Sequence, residues 1–443
     1  MNTEQKKFHA SRRKELAKLI GKNSIAIIFG NTLKNKSFDG DYPFKQYKNF
    51  YYLTGFKEPE AALVIAPGGI KIGKDKKKVY EILYVQPKDK HKEAWSGNRI
   101  GYENVFRELG IKNAFENMRL KNIMSNYIFR NFEKIYINFG EMLKLTHESK
   151  LMADLLFESL NIIAAHTEVT DVTYLMGKLR RVKTSFEAGK MKKAADITIS
   201  AYNKVLQAIK PGLSEFEIQA LLEYNYKSKG SEETAYHPIV ASGENACTLH
   251  YELNNSIMKD SEILLIDSGA EYEYYCCDIT RSFPVNGKFS KEQRAIYEIV
   301  LKANKECIKR IKPGISFSKL SQLSWNIMAD GLQKLGILKN KKDILKYAMH
   351  GLGHHIGLDT HDAVQHEKKN EFDYDILKAG NTVTIEPGLY LRKDMKEIPL
   401  KYRGMGIRIE DVVMVTKNGC INLTEKMVKE ISDIENMMNN ERK

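Results

Sequence analysis

The sequence predicts a two-domain protein of mixed class, α/β and α+β. A smaller α/β amino-terminal domain is expected over residues 1–175 and a larger α+β domain over residues 176–443. Three observations carry this prediction. At 443 residues the chain exceeds what one hydrophobic core usually organises. Its first third alternates apolar runs with helical patterns, as an α/β layer does. The remainder holds a weak internal repeat, IKPGL from Ile209 and IKPGI from Ile311, 102 residues apart, each lying between two helical patterns.

Residues 3–20 are predicted as a helix, and residues 25–31 (IAIIFGN) as a buried strand. Further strands are expected at 50–56 (FYYLTGF), 61–66 (AALVIA), 79–85 (VYEILYV) and 134–139 (KIYINF), with a short helix at 103–109. The dense basic run Lys74–Lys78 reads as a hairpin tip between strands. Residues 151–180 carry apolar side chains at helical spacing. A domain boundary is expected near 172–178, and Ser185 with Glu187 opens a long helix running to about Ile209. Each copy of the repeat is followed by a strand that ends on an acid, Asp267 in the first half and Glu386 in the second. Two similar α–β halves with a site on their seam would follow.

Composition narrows the function. The 70 basic and 56 acidic residues leave a net charge of +14. The lysines are scattered rather than clustered, so a solvated surface is expected and no nucleic-acid partner. The first 24 residues lack the apolar core of a secretion signal, and no apolar run approaches the ~18 residues that span a membrane. A soluble cytoplasmic protein with no membrane partner is therefore expected. Five cysteines, an odd number without any CxxC, argue against a disulfide frame or a zinc ribbon. Cys276 and Cys277 are neighbours, whose side chains would leave a strand on opposite faces, and they read as small strand fillers.

The chemistry concentrates in residues 349–362, MHGLGHHIGLDTHD, which hold four of the eleven histidines and three glycines. A histidine-rich loop without a ligand is the plain alternative. Four apolar runs weigh against it, because each carries a carboxylate: Asp267 in ILLIDSGA, Asp278 in CCDITRSFPV, Glu386 in TVTIEPGLY and Glu410 in GIRIEDVVMV. A charge in such a run is costly unless it is paired or bound to metal. Four carboxylates and an imidazole are mostly oxygen donors. They suit manganese and related divalent ions better than zinc, and two such ions can share bridging carboxylates and hold a hydroxide suited to amide hydrolysis. The stretch HGLGH is no phosphate loop, since no GK[ST] follows it.

In order, spacing and flanking sequence, Asp267, Asp278, His354, Glu386 and Glu410 resemble the five metal ligands of the pita-bread metallopeptidases. MHGLGHHIGLDTHD, DITRSFPVNGKFS and TIEPGLY are most similar to the aminopeptidase P branch, and TGFKEPEAALVIAP and EAWSGNRIG resemble its amino-terminal domain. The resemblance implies a pita-bread catalytic domain and two divalent metal ions, Mn(2+) above all. It also implies release of the first residue from peptides with proline in second place, through a hydroxide bridging the two ions. Asp267 would chelate one ion, Asp278 and Glu410 would bridge both, and His354 and Glu386 would complete the second. Glu386 would also act as general base. His250 would sit near the scissile carbonyl, His361 would stabilise the tetrahedral intermediate and His350 would line the proline pocket. Arg408, taken to share a strand and a face with Glu410, would orient the site carboxylates. Trp95 is either a core anchor or, by the resemblance, part of a contact between subunits of a homo-oligomer, a dimer or tetramer. His355 and His366 are expected at surface or supporting positions.

Proline selectivity has a physical basis, because the Xaa-Pro amide lacks the N–H that ordinary peptidases require. A prolidase, restricted to Xaa-Pro dipeptides, would use the same ligands and remains the alternative at this point. A methionine aminopeptidase would not need the large amino-terminal domain. A non-catalytic binding protein on the same fold would not need all five ligand positions.

Overall fold

The computed structural model describes residues 1–72, 77–128, 131–139, 167–362 and 375–439. The chain forms two compact units, Met1–Leu179 and Arg180–Lys443. Among the described residues no helix is long and apolar enough to cross a membrane.

The first unit is built on a mixed six-stranded sheet. Its order is Ala114–Glu116, Lys77–Val85, Ala62–Ile72, Ser24–Phe29, Lys134–Ile137, Glu168–Asp171. The run SIAIIF is buried along its whole length because it is central, antiparallel to Ala62–Ile72 on one side and parallel to Lys134–Ile137 on the other. Thr3–Ile20 forms the expected helix, started by a capping box between Asn2 and Gln5. Lys77 and Lys78 open the return strand of the predicted hairpin, and the rest of that basic run, residues 74–76, lies outside the described residues.

Three expectations are corrected in this unit. Residues 50–56 are not a strand, since Lys48–Thr54 is a helix ending on left-handed Gly55. Every residue from Asn49 to Thr54 is buried, and a run that is apolar all round looks alike as a buried helix or a buried strand. Of the helical pattern at 151–180, residues 151–166 lie outside the described part, Glu168–Asp171 is an edge strand, and only Thr173–Arg181 is helical. Trp95 is no core anchor: it lies on the helix Lys90–Ser96, which has no buried residue, and is 85% exposed.

The second unit has the repeat built into it. Ser185–Ala208 and Glu215–Ser228 flank the first IKPG, and Lys291–Lys309 and Phe317–Lys334 flank the second. In both copies the proline sits in the turn, and the glycine takes a positive φ, 91° at Gly212 and 86° at Gly314, which its missing Cβ permits. In both, a serine caps the second helix, Ser214 and Ser316. Each turn also pairs with a distant strand segment in the same way. Gly212 N donates to Met258 O at 2.9 Å and Gly314 N to Leu377 O at 2.8 Å, beside the bridges Ser214–Ile257 and Ser316–Ile376.

Each half contributes an antiparallel sheet. In the first, Ile263–Ser268 lies between Ile239–Ser242 and Ile279–Pro284, and Asp267 stands opposite Ile239 and Thr280. In the second, Asp411–Val415 lies between Thr382–Ile385 and Cys420–Asn422, with Gly388–Leu391 and Met405–Arg408 as a separate pair. The halves join where Glu410 N donates to Thr280 O at 3.0 Å and Ser282 Oγ donates to Arg408 O at 3.2 Å.

Candidate functional site

Asp267 lies within the strand Ile263–Ser268, whereas the other three acids stand at strand breaks, which differs from the sequence expectation in one respect. Glu410 is not inside a strand: Met405–Arg408 ends before it, Asp411–Val415 begins after it, and the two belong to different sheets. Glu386 likewise falls between Thr382–Ile385 and Gly388–Leu391, and Asp278 just precedes Ile279–Pro284. The carbonyls freed at two of these breaks, Ile385 O and Ile409 O, both accept from the buried Asn304 side chain, at 3.0 and 3.3 Å. One helix residue thus satisfies the backbone that turns Glu386 and Glu410 out of their sheets.

The predicted site residues come together. Asp267, Asp278, Glu386, Glu410, His250, His350, His354, His361 and Arg408 all line one cavity of ≈ 570 Å³ in the second unit. Asp278, His354 and Glu410 each offer a donor atom, and these lie within 4.8 Å of one another. His354 Nε2 is 3.5 Å from Asp278 Oδ2 and 3.5 Å from Glu386 Oε1. His354 Nδ1 is 3.1 Å from His355 O, a carbonyl that can only accept. The proton therefore belongs on Nδ1, and the bare Nε2 lone pair faces the carboxylates, as a ligand's must.

Backbone packing sets that orientation. His354 O accepts from Thr384 N at 2.8 Å, and His354 N donates to Thr384 Oγ1 at 3.0 Å. A Cβ at Gly353 would stand 2.1 Å from Thr384 O, so glycine is required for this approach.

Other polar groups tie the carboxylates down. Arg408 Nη2 donates to Asp267 Oδ2 at 2.6 Å, Nη1 to Tyr390 OH at 2.7 Å and Nε to Thr280 Oγ1 at 3.1 Å. Thr280 Oγ1 in turn donates to Glu410 Oε2 at 2.6 Å. Tyr236 OH lies between Asp267, at 2.5 Å, and Asp278. His350 Nδ1 is 2.8 Å from Gly351 O and its Nε2 is 2.7 Å from Tyr390 OH, and burial pulls its pKa down. The His361 ring packs on that of His354, centroids 4.1 Å apart. His250 is exposed at the cavity rim. His355 supports the site from behind, bridged to Val383, with a pKa lowered to about 3 by burial and by Lys183. His366 lies outside the described residues. Cys276 and Cys277 are buried as fillers.

Tyr236, Thr280, Thr384 and Tyr390 were not anticipated. Thr280 and Tyr390 had a signal, being two and four residues past Asp278 and Glu386 in the same apolar runs. Nothing in the sequence around Tyr236 marks it.

The donor set fits a divalent cation. Five carboxylates line the cavity, the four predicted ligands and Glu252, while Arg408, the single arginine or lysine among the lining residues, is engaged by Asp267. Burial, and for Asp278 the neighbouring Asp267, push the pKa of Asp278 and Glu410 well up. In the unfolded chain these groups ionise near pH 4. Above that the metal-free folded state holds protons the unfolded chain has lost, so it loses stability as pH rises through the raised pKa values. A bound cation takes over the protons' role and removes that penalty. The melting-temperature gain on adding manganese should therefore be larger at pH 8 than at pH 6, with protons released on binding. Differential scanning fluorimetry and calorimetric titration in two buffers measure both quantities. A gain that is equal at both pH values would contradict this assignment.

Known proteins share this architecture. The model for metallopeptidase family M24 matches residues 189–417, and that for the aminopeptidase P amino-terminal domain matches residues 9–136. The Xaa-Pro aminopeptidase of Haemophilus influenzae is 35% identical over 94% of this chain and 94% of its own. That of Escherichia coli is 34% identical over 96% of each. The solved structure of Pseudomonas aeruginosa aminopeptidase PepP superposes with a TM-score of 0.91 at 32% identity, covering 99% of this chain and 98% of that one. The chain belongs to metallopeptidase family M24, with a pita-bread catalytic fold behind an aminopeptidase P amino-terminal domain.

Proposed function

We propose that this metallopeptidase removes the first residue from peptides with proline in second place, using two divalent ions, in the cell manganese. The observation that carries the reading is the convergence of the nine predicted residues on one cavity, three of them with donor atoms within 4.8 Å. The names of the relatives, Xaa-Pro aminopeptidases, support the substrate. Asp267, Asp278, His354, Glu386 and Glu410 would hold the ions. When bound, these supply Lewis-acid polarisation of the scissile carbonyl and a nucleophile at neutral pH.

The chain's own residues do the rest. Glu386 takes up the proton released by the attacking water and delivers it to the departing proline nitrogen. His361, beside His354 on the cavity wall, donates to the carbonyl oxygen as negative charge develops there. His250 faces the same reacting group from the rim. His350, fixed through Tyr390, lines the proline side of the cavity. Arg408 holds Asp267 and Tyr390 in place at once.

The amino-terminal domain, residues 1–175 in this reading, carries none of the nine predicted site residues. Its exposed Trp95 suits a contact with a second copy in a dimer or tetramer. Five cysteines, an odd number with no CxxC and four of them buried, suit a reducing cytoplasm. The test is hydrolysis of Xaa-Pro-Yaa, Xaa-Pro and Met-Ala-Yaa peptides, each with manganese and after exhaustive chelation. Cleavage of the tripeptide alone, lost on chelation and restored by manganese, is expected. Cleavage confined to the dipeptide would make the protein a prolidase.

A further inference from the structure

A buried ion cluster behind the site is used by none of the chemistry above. Arg180 Nη2 lies 2.5 Å from Asp359 Oδ2 and 2.5 Å from Asp362 Oδ1, and Lys183 Nζ lies 2.6 Å from Asp362 Oδ2. The side chains of Arg180, Lys183 and Asp362 are 2%, 1% and 3% exposed, whereas Asp359 is 41% exposed. Buried ion pairs are weak stabilisers, since apolar groups of equal volume often hold a fold as well. What such a cluster supplies is a fixed position.

The position it fixes belongs to His361. The histidine-rich stretch is held in two different ways along its length. Its first part is laced to the strand Thr382–Ile385: Glu386 N donates to Leu352 O at 2.8 Å, Thr384 N to His354 O at 2.8 Å and Ile356 N to Thr382 O at 3.1 Å. His354 is therefore held by backbone. Past Ile356 the chain turns away from that strand, and the turn is closed by Asp362 N donating to His355 O at 2.8 Å. It packs so tightly on the cluster that a Cβ at Gly357 would stand 2.4 Å from Asp362 Oδ2.

We propose that Arg180 and Lys183, acting through Asp362, are positioning residues that set His361 against the substrate carbonyl. His354 and metal binding do not depend on them. Arg180 meets both carboxylates of the turn through one nitrogen, Nη2, at the end of a side chain that reaches further than lysine's. The inference rests on the role given to His361 above.

The test is a double-mutant cycle in the full chain, with kcat on an Xaa-Pro-Yaa tripeptide at saturating manganese, metal per chain and melting temperature as readouts. Asp362→Asn and the milder, charge-keeping Arg180→Lys should each lower kcat about tenfold to a hundredfold, with two metals retained. In a His361→Ala background either change should cost less than about twofold, because the group being positioned is already gone. Equal losses in both backgrounds, or metal lost together with kcat, would make the cluster a general structural support and overturn the proposal. If His361→Ala alone leaves kcat unchanged, the role of His361 falls, and the positioning role falls with it. Should Asp362→Asn not fold, Arg180→Lys decides the matter alone.

Discussion

Asp278→Asn should lose metal and activity together, yet melt at a higher temperature than the wild-type protein when both are stripped of metal. The two effects share one cause. Asp278 is buried at the junction of the site, near Asp267, Glu386, Glu410 and His354, and burial and Asp267 push its pKa up. In the metal-free protein this carboxyl must either keep a proton or bear a buried charge beside Asp267, a cost that asparagine, of the same shape, removes. Tyr236 can still donate to the amide oxygen. In the loaded protein that charge is what a cation binds to, and a neutral amide does not replace it. A fall in kcat of about 10²–10³-fold or more is expected, by comparison with removing one electrostatic stabiliser from an active site. Elemental analysis, steady-state kinetics and thermal melts of stripped protein measure the three parts. A mutant that keeps two ions per chain would refute the assignment of Asp278. A stripped mutant less stable than the stripped parent would refute the charge argument.

Arg281→Met should produce the largest stability loss, about 3–5 kcal/mol. Arg281 is fully buried, and its five N–H groups are all used. Nη2 donates to Asp411 Oδ1 at 2.9 Å and to Met427 O at 3.1 Å, and Nη1 to Thr280 O at 2.9 Å and Glu410 O at 2.5 Å. Nε donates to Val428 O at 3.0 Å. Burial would raise the Asp411 pKa, but Arg281 and Lys429 outweigh it and hold the carboxyl well below the usual range. Methionine fills the volume but removes a donor from four carbonyls, of which Thr280 O keeps Glu410 N, and leaves Asp411 with Lys429 and Thr424. The second unit should unfold at markedly lower urea. Because Glu410 O loses its donor where the two halves join, kcat should fall in whatever protein remains folded. A change below about 1 kcal/mol would show that water replaces the guanidinium.

Some of this was readable in the chain because it violates a simple rule. A carboxylate inside an apolar run is expensive, so Asp267, Asp278, Glu386 and Glu410 announced themselves, as did the histidines among glycines at 350–361. The repeat was readable because its turns need the same residues twice, a left-handed glycine and a capping serine. Residues 50–56 were misread because an apolar aromatic run carries no period once every face is buried.

By itself, then, the sequence determined the mixed class, the paired halves of the second unit, and which acids and histidines had to share a site. Those follow from local cost and local pattern. Tertiary structure alone decided how they are aimed. Asn304 holds the breaks before Glu386 and Glu410 from a helix some 80 to 105 positions away in the chain, as the side-chain bonds to Ile385 O and Ile409 O require. Tyr236 joins Asp267 to Asp278 from a segment with no pattern of its own. Arg180 and Lys183 reach Asp362 across 182 and 179 residues. The physical reason is the same in each case. A polar group's partner is fixed by where two distant segments pack, and no periodicity along the chain encodes that distance.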